Sequence, residues 1–119
     1  METQNGDKPK IEIADTDNGV LALLQGRIDI DSSPAVRERL LELLRARHPK
    51  TVIIDLSGVA HIDSSGIATL IEALKVARNC DTDLTLRGLH DRVLRLFEAT
   101  GILSLFNKNT QMDHSGGDV

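Results

Sequence analysis

Apolar residues along this chain follow two different periods, and the switches between them mark out the elements. Ile11-Glu12-Ile13 alternates and reads as a short strand. Asp15-Thr16-Asp17-Asn18-Gly19 is a turn cluster, and its Asn18-Gly19 pair is the dipeptide favoured in tight hairpins. Val20-Leu21-Ala22-Leu23-Leu24 then reads as the returning strand, so the chain opens on a β-hairpin. Gly26-Arg27-Ile28-Asp29-Ile30-Asp31 alternates apolar and charged residues, which fits either a continued strand or an ordered loop.

Ser32-Ser33-Pro34 starts a helix: Ser33 can cap it and Pro34 suits its first helical position. Val36, Leu40, Leu41, Leu43 and Leu44 form the buried stripe, and the helix stops before Pro49. Thr51 to Leu56 is nearly all apolar, as expected of a strand buried on both faces of a parallel sheet. Ser57 to Ile62 reads as a loop carrying an exposed His61. Ile67, Leu70, Ile71 and Leu74 then fall at helical spacing, so a second helix begins near Ser65. Leu84-Thr85-Leu86 is a short strand, and Leu89 to Ala99 is a third helix closed by Thr100-Gly101. Ile102 to Phe106 is a last apolar element, strand or short helix.

Strands alternating with helices after a hairpin predict a single α/β domain. Its open sheet is mixed but mostly parallel, with an antiparallel first strand. Right-handed crossovers allow all helices to pack on one face. Residues 1–8 are polar and expected to be flexible, the domain spans 9–106, and polar, glycine-containing residues 107–119 are expected to be a disordered tail.

Composition narrows the function classes. Of 119 residues, 2% are aromatic and the net charge is −4, which argues against stacking on single-stranded nucleic acid and against attraction to phosphate backbones. The sole cysteine, Cys80, permits no intrachain disulfide, in keeping with a reducing compartment. No apolar run nears the ~20 residues of a membrane span, and the N-terminus lacks the apolar stretch of a signal peptide. These features predict a soluble cytoplasmic protein with no membrane insertion and no direct contact with nucleic acid.

Polar chemistry concentrates at one junction, Asp63-Ser64-Ser65-Gly66, where the central strand meets the second helix. The simplest reading is a helix cap, with Asp63 or Ser64 accepting from the free N–H groups of the first turn. A serine at such a start is also a good place for a phosphate. The added ~1.5 to 2 negative charges could break a partner interface without unfolding the domain. Catalysis fits poorly. His61 lies three residues before Ser64, and Asp29 and Asp55 are acidic candidates, but the nucleophile-elbow pattern G-x-S-x-G is absent. No phosphate-binding glycine loop and no metal-ligand spacing occurs. The expectation is a non-enzyme with no catalytic residues, no metal and no cofactor.

The chain resembles the STAS family, the domain of bacterial anti-sigma factor antagonists, over roughly residues 9 to 106. Four pieces carry the likeness: Gly26-Arg27-Ile28-Asp29 before the first helix; Val52 to Val59, the central strand and the start of its loop; Asp63-Ser64-Ser65-Gly66 against the family's D-S-[ST]-G; and Leu89 to Ile102, the third helix and its turn. The resemblance implies a phosphorylation-switched binding module that sequesters a serine-kinase anti-sigma factor and so regulates transcription, with a phosphatase reversing the switch. It implies Ser64 as phosphoacceptor, with Asp29, His61, Asp63, Ser65 and Gly66 supporting the phosphosite and partner binding. Many antagonists continue with a strand and a fourth helix, whereas Asn107 to His114 carries no helical stripe. Short STAS proteins also serve as accessory subunits binding the ATPase of bacterial ABC-type lipid transporters, which is the alternative.

Overall fold

A computed structural model describes residues 10–106; the expected flexible N-terminus and C-terminal tail lie outside the described residues. The order is β1 (Lys10–Asp15), β2 (Gly19–Ile28), α1 (Ser33–Arg47), β3 (Thr51–Ile62), α2 (Ser64–Asn79), β4 (Asp83–Arg87), α3 (Asp91–Thr100) and a closing 3-10 helix (Ile102–Phe106). The strands form one sheet in the order β1-β2-β3-β4. β1 runs antiparallel to β2, and β2, β3 and β4 run parallel.

Each parallel crossover moves one strand outward in the same direction, so right-handed connections place both crossover helices on one face. Burial shows which face. Val20, Ala22 and Leu24 of β2, Val52, Ile54 and Leu56 of β3, and Leu84 and Leu86 of β4 are buried beneath the helices. Val36, Leu40, Leu43 and Leu44 of α1 and Leu70, Ala73, Leu74 and Ala77 of α2 meet them in the same core. Removing each valine, leucine or isoleucine side chain of this core from water stabilises the fold by ~1.5–3 kcal/mol, and the alanines contribute less. On the opposite face Leu21, Leu23 and Ile53 are half-buried, while Glu12 and Ala14 are exposed. The mixed sheet with helices on one side and the hairpin at its edge agree with expectation.

Three local readings differ. The hairpin turns one residue earlier than the Asn18-Gly19 pair suggests: Asp15 pairs with Val20, and the Thr16 N–H donates to the Gly19 carbonyl at 2.8 Å, which leaves Asp17 and Asn18 between the strands. Gly19 is needed for another reason, since a Cβ there would lie 2.0 Å from the Thr51 carbonyl oxygen on β3. Second, Ser57–Ile62 is strand rather than loop. β3 runs 12 residues, and its second half stays paired to β2 as far as Ile28 opposite Ile62. Two register shifts absorb its extra residues, so the apolar pattern breaks while the ladder continues. His61 therefore sits half-buried on a strand opposite Arg27, not on an exposed loop.

Third, the residue before α1 is Ser32, with no side-chain cap hydrogen bond, and Ser33 is the first helical residue. The Ser32 hydroxyl instead serves the preceding turn. It accepts from the Asp29 N–H at 2.9 Å and donates to the Arg27 carbonyl at 2.8 Å. The last apolar element is helical, and its Phe106 is buried.

Candidate functional site at the start of the second helix

The ends of β2 and β3 lie side by side, and each leads into a helix. The Asp63 N–H donates to the Ile28 carbonyl at 3.1 Å, which fixes the start of α2 against the end of β2. Gly66 makes this approach possible. A Cβ on it would lie 2.6 Å from Ile62 Cγ1, 2.8 Å from Ile28 Cγ2 and 3.0 Å from the Ile28 carbonyl oxygen.

Asp63 is the N-cap, in extended conformation. Its Oδ1 accepts from the Ser65 N–H at 2.9 Å, the Gly66 N–H at 3.2 Å and the Ser65 hydroxyl at 2.6 Å. The Ile67 N–H goes to the Asp63 carbonyl at 3.0 Å. The Ser65 hydroxyl holds the Asp63 carboxyl below the ordinary carboxylate range. Partial burial opposes this, while the Gly66 and Ser65 N–H groups and the nearby His61 add to it. A carboxylate so well supplied with donors is a weak proton acceptor.

Ser65 is bound from a second side. The Ser33 hydroxyl of α1 donates to the Ser65 hydroxyl at 3.2 Å, and Ser33 is buried. A relay Ser33–Ser65–Asp63 thus ties the two helix starts together. One turn further along, the Arg37 guanidinium grips Glu72 bidentately, with contacts of 2.7 and 2.6 Å. Sequence reading missed Ser33 in this role, and nothing local signals it, because the partner is 32 residues away.

Ser64 differs from its neighbours. It is exposed at the first position of α2, and among the described residues its hydroxyl has no hydrogen-bond partner. Of the predicted site residues, the structure joins Asp63, Ser65 and Gly66 by direct hydrogen bonds around Ser64. Asp29 and His61 make none to it. Asp29 organises its own turn, its Oδ1 accepting from the Asp31 N–H at 3.0 Å and the Ser32 N–H at 3.2 Å. Among the described residues, no cluster of three or more His, Cys, Asp or Glu could hold a metal ion. No described helix is long and apolar enough to cross a membrane.

A family profile for the STAS domain matches residues 10–115. The chain belongs to that family. It is 34% identical over 111 residues to an anti-sigma-B factor antagonist of Listeria monocytogenes, an alignment covering 92% of this chain and 96% of the relative. It is 28% identical over 97 residues to the anti-sigma-B factor antagonist of Bacillus subtilis, covering 82% of this chain and 87% of that one. The crystal structure of an anti-sigma factor antagonist from Mycobacterium paratuberculosis superposes with a TM-score of 0.79 at 20% identity, covering 92% of this chain and 89% of that one. This last likeness is one of fold.

Proposed function

We propose that this chain is an anti-sigma factor antagonist, a binding module without catalytic activity of its own, switched by phosphorylation of Ser64. One observation carries the site: Ser64 is exposed and, among the described residues, its hydroxyl is unbonded, whereas the neighbouring Ser65 hydroxyl is held on both sides by Ser33 and Asp63. Antagonist names on relatives aligned over most of the chain carry the role, and they favour it over the transporter-subunit alternative.

The chemistry belongs to the partner, a serine-kinase anti-sigma factor. Phosphoryl transfer requires the γ-phosphate of ATP in line with Ser64 Oγ. The new bond joins Ser64 Oγ to that phosphorus, the bond to the bridging oxygen breaks, and ADP leaves. The hydroxyl proton passes to a base on the kinase, since Asp63 is already engaged by three donors.

The helix start supplies little solvation for the product. The N–H groups of Ser65, Gly66 and Ile67 are committed, which leaves the Ser64 N–H to meet a phosphate. The phosphate therefore projects outward and confronts the nucleotide phosphates still on the kinase. Like-charge repulsion at the interface, rather than refolding, then drives release. A phosphatase resets the switch. Titration calorimetry against the purified anti-sigma factor tests this reading. Wild type and Ser64→Ala bind alike, whereas Ser64→Asp binds at least ~10-fold more weakly, the scale of a 1.4 kcal/mol change. Equal binding by Ser64→Asp contradicts the switch.

A further inference from the structure

The turn between β2 and α1 is built more firmly than a connection requires. Asp29 Oδ1 accepts from the Asp31 and Ser32 N–H groups, and the Asp29 carbonyl accepts from the Ser32 N–H at 3.1 Å and the Ser33 N–H at 2.8 Å. The Ser32 hydroxyl closes the turn on Asp29 and Arg27. This framework presents an isoleucine to solvent. Ile30 is 74% exposed, and among the described residues the other exposed large apolar side chain is Leu105 at 40%. On a surface otherwise almost cleared of such groups, the more exposed one stands at the edge that carries Ser64. Asp63 bonds to Ile28, two residues before Ile30, and Ser33, three residues after it, bonds to Ser65.

We propose that Ile30 is the apolar anchor of the docking surface, inserting into a basic-rimmed apolar pocket on the anti-sigma factor that acts on Ser64. The inference rests on the proposed function and divides the interface in two. The rigid turn provides affinity, and Ser64 provides the switch. A branched side chain held on a pre-ordered turn loses little freedom on binding, which is how a small contact becomes a strong one. The charges specify the partner's chemistry. Asp31 is exposed and has no cation paired to it among the described residues. Asp29 has Arg27 at 3.9 Å, too far for a strong pair. A pocket with lysine or arginine at its lip satisfies both carboxylates and excludes acidic competitors.

The test uses the full chain in its own cells. A photo-crosslinking amino acid replaces Ile30 or, separately, Ala68, which is exposed one helical turn beyond Ser64. Capture of the same anti-sigma factor from both positions is the expected result. Capture from position 68 alone overturns the anchor and leaves the proposed function standing. Capture of no anti-sigma factor from either position overturns both. A second copy of this chain captured from position 30 overturns the anchor in favour of self-association. With the captured factor purified, Ile30→Ser weakens binding about tenfold or more, Ile30→Leu restores most of it, and the thermal midpoint of the free protein is unchanged. Undiminished binding by Ile30→Ser also overturns the anchor.

Discussion

Two segments of β3 and its exit carry the same local device, an aspartate and a serine separated by one residue. In Asp55-Leu56-Ser57, Asp55 Oδ1 accepts from the Ser57 N–H at 2.8 Å and the Ser57 hydroxyl at 2.6 Å. In Asp63-Ser64-Ser65, Asp63 Oδ1 accepts from the Ser65 N–H at 2.9 Å and the Ser65 hydroxyl at 2.6 Å. The surroundings then diverge. Asp55 is buried, and its second oxygen takes the Arg87 Nε at 2.9 Å from β4. Gly88 presses close above it, where a Cβ would lie 2.8 Å from Asp55 Oδ1. Among the described residues Asp63 has no such ion pair with a lysine or arginine, and it faces the rim of the sheet. The residue between differs most: Leu56 is fully buried, whereas Ser64 is exposed. One turn chemistry thus serves two ends. In the sheet it takes up the Ser57 N–H at a register shift and locks a core side chain. At the helix start it holds the frame and leaves its middle residue to a partner.

Breaking each part separately tests the contrast. Leu56→Ala removes a core side chain and lowers stability by ~3 kcal/mol in urea unfolding, with a cavity left in the helix-covered layer. Arg87→Ala leaves the buried Asp55 carboxylate without its cation. The arginine is half exposed, so the expected loss is below the full buried-pair penalty, ~2 kcal/mol.

Acid sharpens the comparison. Burial pushes the Asp55 carboxyl up, but the Ser57 hydroxyl, the Ser57 N–H and Arg87 together hold it below its ordinary value. A folded value below the unfolded one means that the stabilisation is complete above pH ~4–5 and is lost as pH falls through the folded value. Asp55→Asn should therefore show a flatter decline of thermal midpoint in acid than wild type; an unchanged decline contradicts this assignment. Asp63 contributes with the same sign.

Asp63→Ala removes the cap at a cost of ~1 kcal/mol, and amide exchange accelerates at Ser65 and Gly66 while the end of α2 keeps its protection. Ser64→Ala, the counterpart of Leu56→Ala, changes stability by no more than ~0.5 kcal/mol. A large loss there would mean that Ser64 is part of the frame.

Much of this architecture was legible because apolar residues track burial, although the second face of β3, expected to be buried, leaves Ile53 half-buried. The stripe Val36, Leu40, Leu41, Leu43 and Leu44 marked α1, and the run Val52 to Leu56 marked the first half of β3. The second half of β3 was not legible. Ser57, Gly58 and Ala60 are exposed there, and the register shifts displace Val59 and Ile62 from strict alternation. At the site, a cap is readable from residue type and position, but the structure is needed to choose Asp63 over Ser64 as the capping residue. The Ser33–Ser65 bond and the Asp55–Arg87 pair are not, because each joins residues 32 apart in sequence that meet through the sheet. A short polar residue before a helix suggests a cap, and Ser33 shows that a neighbour can take a tertiary role instead.

The central claim, that this junction fixes Ser65 and offers Ser64, is tested most directly by mapping phosphate after incubation with the purified anti-sigma factor and ATP. Tandem mass spectrometry should place the added phosphate on Ser64 in wild type and in Ser65→Ala, and find none in Ser64→Ala. Phosphate on Ser65, or undiminished incorporation into Ser64→Ala, contradicts it.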